Sequence, residues 1–152
     1  MGPSVVDASL FIALIIPTLS GIYSALHDSA ETILRIVAGV ALVTHGLGKV
    51  TEPFGAAGMV ERIGFYPGVF WSPLLSFTEF FAGILVAIGL LTRPASLAAL
   101  IILLVTVWFH WIVMDQGYGG AEKSILWAAI FFFFAIRGGN RHSVDARIGK
   151  EF

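Results

Sequence analysis

The spacing of charges constrains this chain most. From residue 28 to residue 137, nearly uncharged apolar runs follow one another, separated by short breaks rich in Gly, Pro, Thr and Arg. A bilayer core about 30 Å thick requires roughly 20 apolar residues of helix, and a backbone in hydrocarbon must satisfy its own hydrogen bonds. Helices alone do that within a single segment. The expectation is therefore an all-α integral membrane four-helix bundle, with spans over 28–50, 71–91, 95–114 and 121–136. Composition agrees: 57% of residues are hydrophobic, 12% are charged and mean hydropathy is +0.89, outside the range of soluble domains.

Local punctuation sets the boundaries. Asp28 with Glu31 resembles an acidic capping box opening the first span, and Arg35, close to that start, is expected to snorkel outward. Pro73 suits the first turn of the second span, and Thr92, Arg93 and Pro94 read as a tight turn after it. Residues 54–66 mix Glu61 and Arg62 with Met59, Val60 and Ile63, too short and polar to cross, and read as a short interfacial helix or a half-buried loop. Residues 5–26 form an additional N-terminal apolar segment that can either span or lie against the bundle. With no Lys/Arg-rich start, it does not read as a cleaved signal. This divides the chain into an N-terminal apolar segment 1–27, a transmembrane domain 28–137 and a basic tail 138–152. Small residues such as Gly39, Gly46, Gly83 and Gly89 either permit close helix contact or simply reflect the usual composition of membrane helices.

Formal net charge is −1, which leaves no basic surface for nucleic acid. The absence of cysteine rules out disulfides, thiolate metal sites and dithiol redox chemistry, so any redox role must use a bound cofactor. Arg93, Arg137, Arg141, Arg147 and Lys150 gather at one end, which the positive-inside rule assigns to the cytoplasm. Trp71, Trp108, Trp111 and Trp127, with Tyr66 and Tyr118, are expected at the opposite, outer ends of their helices as an interfacial belt. The lipid bilayer is thus the first partner.

Up-and-down connectivity brings most of the remaining polar residues to that outer end. His45 and Lys49 share a helix face at i, i+4 spacing. Glu79 lies about two turns into the second span, and His110 near the end of the third, with Glu122 and Lys123 opening the fourth. A carboxylate at such depth costs about 2.5 to 3.5 kcal/mol, so it must be paired, protonated or facing a cavity. Two readings stand: an ion pair that fixes packing, and a pocket lined by His45, Lys49, Glu79, His110 and Glu122 with Trp108, Trp111 and Trp127 flanking it. No Glu-x-x-His pair or His-rich tract is present, so no metal is expected. Phe131 to Phe134 reads as lipid-facing and packing surface rather than a cofactor box.

As a set, these positions carry a resemblance. His45-Gly46-Leu47-Gly48-Lys49 preceded by Arg35 and Gly39, Glu79 with Gly83, Gly89-Leu90-Leu91-Thr92-Arg93, His110, and Ser143-Val144-Asp145 after the last span resemble the DoxX family of small bacterial membrane proteins over residues 32–146. The resemblance implies a four-helix membrane fold, carries His45, Lys49, Glu79 and His110 over as the family's polar positions, and implies the bacterial inner membrane. Its name-giving members are associated with quinone-linked oxidation of thiosulfate, and other relatives act as partners of oxidoreductases. The lack of cysteine separates this chain from relatives that assist thiol chemistry. The resulting expectation is a membrane subunit of a quinone-linked oxidoreductase, with a quinone as ligand and other complex subunits as partners. A non-catalytic assembly subunit and a small-molecule or lipid carrier are the alternatives.

Overall fold

A computed structural model describes residues 17–150. Its elements are a 3-10 turn at Pro17–Leu19 followed by helices α1 (Ser20–Thr51), α2 (Ala57–Arg62), α3 (Gly68–Ile88), α4 (Thr92–Trp108), α5 (Gly117–Arg137) and α6 (Val144–Ile148), with no strand among the described residues. α4 runs on through a π-helical turn at Phe109–Val113. Four of these helices, with α4 counted to Val113, are long and apolar enough to cross a membrane. α2 supplies the short helix expected between the first two spans.

The first helix begins earlier than its capping signal suggests. α1 starts at Ser20, and Asp28 lies inside it. Its 32 residues extend about 48 Å, longer than the apolar slab. Asp28 is not free to cap, because its carboxylate meets Arg141 Nε at 2.5 Å. Of the apolar segment 5–26, only the stretch from residue 17 onward falls within the described residues, and residues 20–26 form the first turns of α1.

α1 packs along α3 and α4 along α5, whereas α1 and α5 touch little. The α1–α3 pairing is nearly backbone to backbone. A Cβ at Gly39 would lie 2.5 Å from Ala87 N, one at Gly46 2.7 Å from Phe80 N, and one at Gly83 2.8 Å from Gly39 O. Of the two readings of the small residues, close contact therefore holds for these three. Ala38, Leu42, Ala82, Val86, Ala95, Ala99 and Phe131 form the core beside this seam. Phe131 and Phe134 are buried while Phe132 and Phe133 are exposed, as a helix with one packed and one lipid-facing side requires.

The chain after α5 folds back onto the bundle. α3 ends at Gly89 in the left-handed conformation, and Leu91, also left-handed at φ 50°, precedes α4 with no side-chain cap of its own. Asp145 supplies that cap from the tail. Its Oδ1 accepts the Leu91 N–H at 2.8 Å, and its Oδ2 accepts the Thr92 N–H at 3.0 Å and the Thr92 hydroxyl at 2.8 Å. Asp145 N–H in turn donates to Gly89 O at 2.9 Å. Ser143 caps α6 by accepting the Ala146 N–H at 3.0 Å. Arg35 does not snorkel: it is 2% exposed, donates to His142 O at 3.3 Å and faces the Asp145 charge. The returning tail brings an acceptor and a counter-charge to Arg35, so the guanidinium need not reach for water. Asn140 completes the seam by donating to Asp28 O at 2.7 Å and Thr32 Oγ1 at 2.9 Å, beside an Arg137–Glu31 pair at 3.2 Å.

Candidate functional site

At the opposite end, where α2 lies, the close α1–α3 packing sets up the principal polar feature. One turn beyond the Gly46–Phe80 approach, Lys49 Nζ donates to both oxygens of Glu79, at 2.8 and 2.6 Å. Glu79 lies eleven residues into α3, about 16 Å of helix rise, deeper than the two turns expected. Its side chain is only 8% exposed, while that of Lys49 is 41% exposed. Desolvation therefore falls mostly on the carboxylate. An ammonium making two charge-assisted bonds is what keeps an ionised carboxylate tolerable there.

The weak α1–α5 seam leaves a cavity of about 380 Å³ beside this pair, lined by Ala41, His45 and Lys49 of α1, Glu79 of α3, Thr106 of α4, and Lys123, Ser124 and Trp127 of α5, with His110 at its α4 side. Five of the residues singled out from sequence, His45, Lys49, Glu79, His110 and Trp127, thus meet around one space. Three do not. Glu122 is exposed and its neighbour Lys123 takes the lining position, because one residue along a helix rotates a side chain by about 100°. Trp108 and Trp111 are about two-fifths exposed and line no cavity described here. Trp111 instead meets Tyr118 edge to face at 6.1 Å, and Trp71 meets Phe65 at 5.4 Å, as belt residues would. Trp127 is no belt residue, since it sits ten residues into α5 and faces the cavity.

The π-helical turn positions His110. Met114 N–H bonds Phe109 O at 2.9 Å, five residues back, and the widened turn carries His110 to the cavity wall; such insertions are frequent at functional sites. Its Nδ1 lies 2.9 Å from Gln116 Oε1. An amide oxygen only accepts, so Nδ1 is the donor in this pairing. No sequence pattern singles out Gln116. Its only signal is that it follows His110 by six residues across a loop, which no periodicity connects.

Together, these groups offer a buried carboxylate, the ammonium groups of Lys49 and Lys123 and the imidazoles of His45 and His110 around one cavity: donors for a polar head and more than one route for a proton. At the other end, His27, Asp28 and Glu31 bring ligand atoms within 4.8 Å of one another, but Arg141 and Arg137 already pair with the two carboxylates.

Comparison with known proteins bears on the same residues. The DoxX family model matches residues 30–111. The inner membrane protein YqjF of Escherichia coli (strain K12) is 28% identical over 129 residues, covering 84% of this chain and 98% of that protein. No solved structure matches the chain. The family match takes in more than half of the chain and includes Arg35, the whole of His45 to Lys49, Glu79 and His110 within a four-helix membrane bundle: the chain belongs to the DoxX family.

Proposed function

We propose that this protein is the membrane subunit of a quinone-linked oxidoreductase in the bacterial inner membrane, and that the Lys49–Glu79–His110 cavity receives the quinone head. The observation that carries the reading is the bidentate Lys49–Glu79 pair, set deep in the bundle on the wall of a cavity rather than sealed between helices. An ion pair that only fixed packing would need no space beside it. Lys49 is the donor to a quinone carbonyl, and His110 the second polar contact across the cavity. Reduction takes two electrons from a partner subunit's redox centre and two protons, one through the Lys49–Glu79 pair and one through His110, to give hydroquinone; oxidation reverses the same inventory. The inner-membrane assignment follows the name of the relative, and the Arg-rich α6 end is placed in the cytoplasm.

The test is extraction of quinone from the purified protein, followed by comparison of its host complex with and without Glu79→Gln. Copurifying quinone in wild type, and quinone-dependent turnover lost in the variant, support the assignment. A quinone-free protein whose complex turns over normally with Glu79→Gln ends it.

A further inference from the structure

The ion pair stands between two spaces. Lys49, Glu79, Thr106 and His110 line the cavity at the α1–α5 seam and also a second one, about 540 Å³, bordered by α2, α3 and α4. Apart from those four and Thr78, the second space is lined by apolar side chains. It extends along α4 from Phe109 to Ala98, eleven residues or about 16 Å, roughly the depth of one leaflet.

Its roof and its side differ. α2 is held over the α3 start at both of its ends: Glu61 Oε1 accepts the Gly68 N–H at 2.7 Å, while Ser72 accepts the Ala56 N–H at 3.2 Å and donates to Pro53 O at 2.6 Å. Val60 is buried beneath this roof. Between α3 and α4, by contrast, the rim residues Leu74 and Ile101 are 45% and 56% exposed, and in a membrane that exposure is to hydrocarbon. The groove is therefore covered toward water and open toward lipid. Water in an apolar space of this kind finds too few polar partners, whereas a hydrocarbon chain loses nothing on entering.

We infer that this groove holds the tail of the ligand whose head sits at Lys49–Glu79–His110, and that a single-chain amphiphile enters sideways from the bilayer between α3 and α4. The inference rests on the head-group reading above, and extends it by fixing the ligand as an amphiphile and its route as lateral. The four shared residues make the polar wall one continuous junction, so a molecule with its tail in the groove meets Lys49 and His110 with its head. Because lipid chains are as apolar as the groove, the tail gains little affinity from entering it; the groove decides which molecules fit.

The chain lacks cysteine, so single cysteines allow the groove to be filled after folding. Full-length protein in nanodiscs carrying Ala98→Cys is modified with a benzyl thiosulfonate and compared with Leu97→Cys, whose side chain is exposed outside the groove. Binding is measured for two benzoquinones with identical heads, one tailless and one with a decyl tail. Modification at 98 is expected to weaken the tailed quinone by about tenfold or more and leave the tailless one unchanged, with no effect at 97. If both quinones bind unmodified and 98-modified protein alike, the lateral tail site is overturned while the head site stands. If neither binds unmodified protein, the quinone reading fails. In that event, or if modification at 98 abolishes both, the groove is decided by photolabelling with a diazirine-tipped alkyl chain in the same nanodiscs. Labelling of Leu75 and Ile102 above Leu97 supports a chain site, and labelling confined to outward-facing residues overturns it.

Discussion

Asp145→Asn separates the tail's role from that of the cavity. The two side chains have nearly the same volume, so packing at this 2% exposed position is preserved and only the acceptor chemistry changes. The asparagine oxygen replaces one carboxylate oxygen. If it keeps the Leu91 N–H, the amide NH2 faces the Thr92 N–H, and although the Thr92 hydroxyl can rotate to accept, the backbone donor cannot. One buried N–H is then orphaned, at about 1 to 3 kcal/mol. Leu91 loses part of what holds it at φ 50°, a conformation that costs about 1 to 2 kcal/mol in an L-residue. Arg35 also loses the opposing charge it faces. These effects overlap, so the expected destabilisation is about 2 to 4 kcal/mol in total. Reversible unfolding in mixed micelles titrated with SDS measures it, and limited proteolysis after residue 138 reports release of the tail. Adding Arg35→Met to Asp145→Asn is expected to recover about 1 kcal/mol or more by removing the stranded charge. A single Asp145→Asn variant within about 0.5 kcal/mol of wild type refutes the assignment of Asp145 as the α4 cap.

Four further outcomes are expected. Gly46→Ala drives a Cβ into the Phe80 backbone and should cost about 1 to 3 kcal/mol, whereas Gly48→Ala, with nothing within 4 Å, should be neutral or stabilising by up to about 1 kcal/mol; equal effects in the same SDS titration would contradict the close α1–α3 seam. Lys49→Met strands the Glu79 carboxylate at a cost of about 3 kcal/mol or more, and Lys49→Met with Glu79→Gln should restore most of it; a double variant no better than the single one rules out an ionised pair. Gln116→Leu removes the acceptor for the His110 Nδ1 proton, so nitrogen-15 shifts of the imidazole should move from one tautomer to a mixture, and an unchanged spectrum removes Gln116 from the site. Single cysteines at Arg147 and Tyr118, both exposed, should react in whole cells with permeant maleimide only and with impermeant maleimide respectively; the reverse pattern inverts the proposed orientation.

The recurring charged and polar positions made the candidate site partly legible in advance. His45, Lys49 and Glu79 were identifiable because a charge inside an apolar run is conspicuous and i, i+4 spacing fixes a helix face. The choice between Glu122 and Lys123 was not, because the rotation of α5 about its axis depends on which residues α4 packs against. Trp127 was misplaced with the belt for a related reason: α5 begins at Gly117, earlier than the apolar run suggests, since helix ends follow backbone geometry as well as hydropathy.

What the sequence alone determined is therefore the solvent and the four spans between residues 28 and 137, because the cost of leaving backbone groups unpaired in hydrocarbon dominates other terms and depends only on local composition. It also determined that Glu79 must be paired, protonated or facing a cavity. Tertiary structure decided the partners. Arg35, read as a snorkelling cation, is buried beneath a tail that begins more than 100 residues later in the chain, and α4 is capped by Asp145 from beyond α5. Lys49 reaches Glu79 because Gly39, Gly46 and Gly83 let two helices meet at the backbone. The loose α1–α5 seam and the α2 roof leave a space on each side of that pair. Such contacts link residues far apart in sequence, so their energies depend on packing that no local pattern encodes.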